Sequence, residues 1–315
     1  MSHLSRNFNK NELKKILQES SQKIELKELS SEIEGKIILN VEGVNFHTLI
    51  LGSDTKRLFV FLSANGISNK PYPLFHRVLW AKYFKGVCIY IDDPTRSDLS
   101  FAPCYFYGNQ ERDVGYLIKK IIEKYANLNN ILKKNIHLIS SSNGGSAAIR
   151  IASMMGAVNC IALNPQLDVK LFSQSKKLDI DKGLGIAFTN PSEMRRLDFI
   201  NCLRNSENTK FFLYFNTKCW FDKQQAQCLE QAFAVKLVSR LQKIKKNIWI
   251  LPVAVNFCSN QHQAQPDEFF CIFISKLLES ASFTKENIAL TNLFIGEMRK
   301  YYALMDELNA LKYKE

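Results

Sequence analysis

The hydrophobic positions of this chain gather into short unbroken runs rather than alternating ones. The clearest are Lys36–Val41, Phe46–Leu51, Arg57–Ser63, Gly86–Ile91, Asn135–Ile139, Val158–Leu163, Phe211–Phe215 and Ile248–Val253. Runs of this length, apolar on both faces, mark strands buried inside a sheet that carries helices on either side. Glu42-Gly43, between the first two runs, reads as a hairpin turn, so the sheet opens with an antiparallel pair. Helices are predicted over residues 8–19, Pro73–Phe84 and Arg112–Tyr125. Near the C-terminus, Ile288, Ile295, Met298, Tyr302 and Met305 recur at spacings of three, four or seven, and Leu304, Leu308 and Leu311 widen the stripe. A long helix over Thr284–Lys314 is expected, interrupted at Gly296. The alternation of strand and helix predicts an α/β fold with a mostly parallel central sheet and helices on both faces.

No internal repeat or low-complexity linker divides the chain. Residues 1–35 read as an N-terminal helical segment, 36–282 as one catalytic domain and 283–315 as a C-terminal helix. The stretch 168–207 lies between two core strands and carries Lys176-Lys177 and Arg195-Arg196. It is either a cap over the site or an ordinary crossover.

Composition narrows the setting. The chain of 315 residues is 46% apolar, which argues against disorder. No apolar run approaches the roughly twenty residues that cross a bilayer. Residues Met1–Glu19 are polar and show no secretory signal. The eight cysteines, at 88, 104, 160, 202, 219, 228, 258 and 271, form no C-x-x-C pair. They read as buried free thiols in a reducing cytoplasm, with no metal site expected. The net charge of +12 favours an anionic partner. Nucleic acid is not expected, because the basic residues are dispersed and no aromatic-basic or helix-turn-helix pattern organises them.

Candidate chemistry centres on Ser140-Ser141-Ser142-Asn143-Gly144-Gly145. An apolar strand precedes it and a helix rich in small residues follows, the context of a nucleophile elbow. The serine at the apex needs small neighbours two residues before and after. Ser142 has Gly144 after it and Ser140 before it, so a serine replaces the first glycine of G-x-S-x-G. In this layout the nucleophile, the acid and the histidine follow one another along the chain. Of His3, His47, His76, His137 and His262, only His262 follows Ser142, on a loop past the last strand. Asp222, just beyond the preceding strand, is the candidate acid, with Asp168 as its rival. The oxyanion donors are expected to be the backbone N–H of Asn143 and that of Ala64 or Asn65, where Gly66 lets the loop turn closely. His76 and Arg77 lie near enough to reach the site but are expected on a helix face, and His137 is expected in a structural role.

The segment Ser140–Pro165 and the following Gln166 resemble the α/β-hydrolase superfamily over roughly residues 36–280. More narrowly, Tyr90-Ile91-Asp92-Asp93-Pro94, the turn Tyr105–Gly108 and Asn164-Pro165-Gln166 resemble the α/β-hydrolase-type O-acetyltransferases of bacterial capsule and surface-polysaccharide loci. The resemblance implies acetyl-CoA as donor substrate rather than bound cofactor, and a hydroxyl of an anionic polysaccharide as acceptor. The enzyme is expected in the cytoplasm, and its basic, aromatic-rich C-terminal helix is a candidate for peripheral contact with a membrane-associated capsule assembly. No dedicated coenzyme A motif is visible. The same triad would serve an esterase, deacetylase or thioesterase if water accepted the acyl group. A non-catalytic binding protein on the same fold is the reading of a different class. The C-terminal helix is expected to pack on its own domain, or else to form a homo-oligomer contact.

Overall fold

The computed structural model describes residues 10–52, 56–64, 73–95, 104–176, 179–257 and 261–312. Its strands are β1 (Gln22–Glu25), β2 (Gly35–Val41), β3 (Val44–Leu51), β4 (Leu58–Leu62), β5 (Val87–Ile91), β6 (Ile136–Ser141), β7 (Asn159–Leu163), β8 (Lys210–Asn216), β9 (Gln242–Lys245) and β10 (Ile248–Val253). Its α-helices are α1 (Lys10–Gln18), α2 (Val114–Leu128), α3 (Ser142–Met155), α4 (Val169–Lys176), α5 (Ile180–Leu184), α6 (Pro191–Met194), α7 (Phe199–Asn205), α8 (Trp220–Phe233), α9 (Glu268–Ser280) and α10 (Lys285–Lys312).

The strands form one ten-stranded sheet in the order β1-β2-β3-β5-β4-β6-β7-β8-β10-β9. β2 and β3 form the expected hairpin, and its turn residues Glu42 and Gly43 both have positive φ, 53° and 82°. That backbone matches the right-handed twist of the strands it joins. β3 is antiparallel to β5, and from β5 through β4, β6, β7 and β8 to β10 the pairing is parallel. The chain reverses direction across the sheet at β4, since β5 lies on one side of it and β6 on the other. The crevice outside the carboxyl ends of β4 and β6 is therefore the topological switch point, where α/β folds place their ligands.

The strand interiors are dry. β4, β5, β6, β7 and β10 are buried at every position. On β8, Phe211, Phe212 and Phe215 are wholly buried, each contributing roughly 1.5–3 kcal/mol relative to exposure. Near the amino end of β6, His137 bonds Glu279 near the end of α9 at 2.8 Å, and Arg57 reaches the same carboxylate at 2.6 and 3.0 Å. This cluster fastens α9 to the foot of the sheet.

Four features differ from the sequence-based expectation. The N-terminal segment is not purely helical, because β1 pairs in parallel with β2 and extends the sheet. β9 adds a second edge strand, antiparallel to β10. The helix expected over Pro73–Phe84 is only a 3-10 turn, Val78–Lys82, because Arg77 has a left-handed φ of 62° that no helix interior accepts. Gly296 does not interrupt the C-terminal helix, which runs unbroken through it with open space around its Cα.

The stretch 168–207 folds as α4 to α7, and Val169, Phe172, Ile180, Leu197, Phe199 and Leu203 join the core on the α2 and α3 side of the sheet. The C-terminal helix packs on the opposite face through Thr291, Ile295 and Phe294, whose ring lies 5.8 Å from that of Phe270. Among the described residues, no helix is long and apolar enough to cross a membrane.

Candidate active site

Ser142 stands where β6 turns into α3, with a left-handed φ of 53°. A non-glycine residue held there is strained by about 1–3 kcal/mol, and its surroundings must impose it. They do so by close packing. A Cβ at Gly144 would lie 2.5 Å from the Ser63 carbonyl oxygen, and one at Gly145 would lie 3.2 Å from that of Ser140. Ser140, in the place of the missing glycine, uses its hydroxyl to join β4 and β6. Its Oγ accepts the Leu62 N–H at 2.8 Å and donates to the Ile139 carbonyl at 2.8 Å.

Ser142 is 9% exposed, and its hydroxyl accepts a hydrogen bond from Gln166 Nε2 at 2.9 Å. Gln166 is itself fixed on every side. Tyr105 donates its phenol proton to Gln166 Oε1, and Ser146, one turn along α3, bonds both the N–H and the carbonyl of Gln166 at 2.8 Å. Tyr105 and Phe106 are consecutive left-handed residues, with φ of 54° and 53°. The Asp93 carboxylate holds that turn by accepting the Phe106 N–H at 2.6 Å. Burial pushes the Asp93 carboxyl up to about 6, against the hydrogen bonds from Thr95 and Phe106 that favour its charged form.

His262 lies in a 3-10 turn, Gln261–Gln263, and its Nδ1 is 2.7 Å from Asp222 Oδ1. Asp222 is fully buried in the first turn of α8, where the helix N-terminus favours negative charge. Burial pulls the His262 imidazole down, but the Asp222 carboxylate and the neighbouring Cys219 outweigh it, and the ring ends at about 9. Asp168 is occupied elsewhere, its Oδ1 accepting the Leu171 N–H at 2.9 Å to start α4. In this arrangement no hydrogen bond joins Ser142 to His262; the bond to Ser142 Oγ is the one from Gln166. Catalytic hydrogen bonds often close only once substrate is in place.

The histidine loop hangs from three anchors. Asn164, at the end of β7, donates to the His262 carbonyl at 2.7 Å. Asn216, ending β8, donates to the Val255 and Gln261 carbonyls at 2.9 and 2.8 Å. Tyr302 on α10 accepts the Gln265 N–H at 3.0 Å, and its hydroxyl is 3.1 and 3.0 Å from the Gln263 and Gln265 carbonyls.

Asn143 is buried as the second residue of α3, where backbone amides lack an intrahelical acceptor. The Ala64 N–H donates to His76 Nδ1 at 2.9 Å. Asn65 and Gly66 lie outside the described residues. His76 and Arg77 are therefore not on a helix face. The guanidinium of Arg77 stacks over Trp80 at 5.0 Å and bonds Gln265 at 2.5 Å.

The cysteines divide in a way the sequence did not foretell. Cys88, Cys104, Cys160 and Cys271 are buried, but Cys202, Cys219 and Cys228 are partly exposed, and Cys219 stands beside Asp222 and His262. Gln166, Asn216 and Tyr302 were not foreseen as site residues. For Asn216 the available signal was a polar residue ending a buried strand; Gln166 and Tyr302 carried no such signal. A cavity of about 910 Å³ opens beside Leu167 and Asp168, directly after Gln166, with Lys170, Arg195 and Arg204 on its walls.

No family model matches the chain, and no curated protein matches it. Among solved structures, capsule O-acetyltransferase of Neisseria meningitidis serogroup A, in a mutant form in complex with CoA, superposes with a TM-score of 0.54 at 13% identity, over 80% of this chain and 99% of that one. The fold is that of the α/β-hydrolases. Dipeptidyl peptidase 4 of Porphyromonas gingivalis shares it with a TM-score of 0.52 at 10% identity, over 78% of this chain and 35% of the peptidase. A chain of the Glycosylation Associate Protein (Gap123) complex from Streptococcus agalactiae matches with a TM-score of 0.50 at 18% identity, over 71% of this chain; this chain spans 43% of that one.

Proposed function

We propose that this α/β-hydrolase-fold protein is a serine-dependent acyltransferase that moves an acetyl group from acetyl-CoA to a hydroxyl of an anionic bacterial surface polysaccharide. The observation that carries the reading is the left-handed Ser142 at the strand-to-helix turn, together with a histidine that already holds a buried carboxylate. In the first step Ser142 Oγ attacks the thioester carbonyl. His262 takes the serine proton on Nε2, while Asp222 keeps the other ring nitrogen protonated and stabilises the imidazolium. Donation from Gln166 into Ser142 Oγ directs the hydroxyl proton away from Gln166, toward the base. The Asn143 N–H stabilises the oxyanion. A second backbone donor from Ala64 requires its N–H to leave His76; Asn65 is the alternative.

Collapse of the intermediate expels the coenzyme A thiolate, which takes the proton from His262. A sugar hydroxyl then repeats the sequence on the acyl-Ser142 ester. The cations Lys170, Arg195 and Arg204 along the cavity after Gln166 suit the phosphates of the donor or the charges of the acceptor. In this reading the enzyme works in the cytoplasm, where acetyl-CoA is made, and meets the capsule assembly at the membrane periphery. The exposed Leu290, Leu293, Tyr301 and Leu304 of α10 offer a contact for that assembly or for a second copy.

Hydrolysis is the second reading, favoured by the peptidase that shares the fold. A binding role without catalysis is a third, and the likeness to a chain of a multiprotein complex supports it. One assay separates them. Purified protein is incubated with acetyl-CoA, with and without capsule polysaccharide, and thiol release is followed beside Ser142→Ala. Polymer-dependent release that the variant lacks supports transfer. Turnover of simple esters without regard to acetyl-CoA or polymer moves the reading to a hydrolase, and no turnover of either moves it to a binding protein.

A further inference from the structure

Cys219 Sγ, a carboxylate oxygen of Asp222 and a ring nitrogen of His262 all lie within 4.8 Å of one another. Cys219 is the N-cap residue of α8, but no side-chain capping bond engages its thiol. Asp222 is fully buried and the His262 side chain keeps 27% exposure, so an ion from solvent reaches the group past the imidazole. The fixed backbone of the first turn of α8 sets Cys219 and Asp222 three residues apart on one side, and the anchored loop brings His262 to them.

A thiolate, an imidazole and a carboxylate form a donor set suited to zinc, with the fourth tetrahedral position left to water. Tetrahedral bonds of about 2.0–2.3 Å place ligand atoms about 3.3–3.7 Å apart. The cluster reaches that geometry by drawing the sulfur in by about an ångström and letting the 2.7 Å Asp222–His262 contact widen slightly. Among the described residues no other group of three histidine, cysteine, aspartate or glutamate side chains comes as close together.

We propose that Cys219, Asp222 and His262 form a zinc site whose occupation switches the enzyme off. The ion takes the lone pair of His262 Nδ1, an oxygen of Asp222 and the sulfur of Cys219. The thiol proton and the ring proton on Nδ1 are both released to solvent, and the ring keeps its other proton on Nε2. Nε2 then has no lone pair with which to accept the Ser142 proton, and Asp222 no longer orients the ring. The zinc site itself depends only on the three ligands; its inhibitory effect rests on His262 being the base.

The test uses the full chain, stripped of metal with a chelator and titrated first with cobalt(II), then with zinc. One equivalent of cobalt is expected to produce a thiolate-to-metal charge-transfer band in the near ultraviolet, which zinc abolishes. Cys219→Ser is expected to lose the band while keeping its fold, because serine is at least as good an N-cap. Cys219→Ala serves as a second variant and Cys202→Ser as the control that keeps the band. In the activity assay, zinc inhibits the unsubstituted protein reversibly, and Cys219→Ser needs at least about tenfold more zinc for half-inhibition. Absence of the band, its survival in both Cys219 variants, or equal zinc inhibition of protein and variants overturns the proposal. A chain that shows the band but no turnover of acetyl-CoA or esters keeps the zinc site and loses the catalytic reading instead.

Discussion

Gln166 Nε2 donates to Ser142 Oγ at 2.9 Å, and every other polar atom of that glutamine has a partner. The Ser142 hydroxyl is therefore oriented by a side chain that has little freedom to move. Gln166→Leu removes the donor and leaves the Tyr105 hydroxyl without its acceptor. A fall in kcat of about 10- to 100-fold is expected with a much smaller change in KM, since the interaction serves the reacting atom. Gln166→Glu, which keeps an acceptor for Tyr105, should fold normally and recover little of the loss. Full kcat in a folded Gln166→Leu would remove Gln166 from the mechanism. Steady-state kinetics beside a circular dichroism melt make the measurement.

With His262 as base, the proposed mechanism predicts a pH signature from its elevated ring. A base accepts a proton only when neutral, so kcat/KM should rise with pH until the imidazole has titrated, at about 9. Asp222→Asn removes the carboxylate that holds the ring up. Its rising limb should move toward acid, and its plateau should drop by about 10⁴-fold. The same shift bears on stability with a definite sign. A histidine raised in the folded state stabilises fully below its unfolded value of about 6.5, and that contribution is lost as pH rises through about 9. A limb that stays in place in Asp222→Asn would separate the carboxylate from the base.

At the foot of the sheet the sign reverses. Burial raises the Glu279 carboxyl, but hydrogen bonds from His137 and Arg57 outweigh it and bring it down to about 2. Its contribution is present above the unfolded value, about 4.5, and is lost as pH falls through about 2. Glu279→Gln is expected to cost on the order of 1–2 kcal/mol at pH 7, reduced by solvent screening on the Arg57 side, and almost nothing near pH 2. Urea melts at the two pH values measure the difference. Equal losses at both would mean that packing, not charge, holds α9 there.

Tyr302 ties the last helix to the His262 loop through the backbone of Gln263 and Gln265. Tyr302→Phe removes the hydroxyl and leaves the ring packed on Phe257, whose centroid is 4.9 Å away. A loss of about 1 kcal/mol in stability is expected, with kcat falling more than stability alone explains because the loop holding His262 loosens. Unchanged kcat at a lowered melting temperature would assign Tyr302 to the fold alone.

Much of this architecture was visible in the residues, and the exceptions have physical causes. The buried strands were legible because a strand covered on both faces has no polar positions to break its run. β1, Gln22-Lys23-Ile24-Glu25, and β9, Gln242-Lys243-Ile244-Lys245, escaped because each is an edge strand with a single apolar residue. The strand-to-helix turn at Ser142 was legible from the glycine two residues on. Sequence left Asp222 and Asp168 in competition, because both follow a strand; the packing of α8 decides which carboxylate meets the imidazole. Gln166 was hidden for a different reason. Its reach to Ser142 depends on the left-handed backbone of Asn164, with a φ of 47°, which composition does not announce.

The dependence of the His262 loop on Tyr302 also has a consequence in time. The chain emerges from the ribosome in order, so Ser142 and Asp222 leave it before the segment that carries Tyr302. The loop gains its last anchor only after the segment containing Tyr302 has emerged. A chain not yet made as far as Tyr302 would lack this anchor, so the backbone of Gln263 and Gln265 is held in full only once α10 has been added.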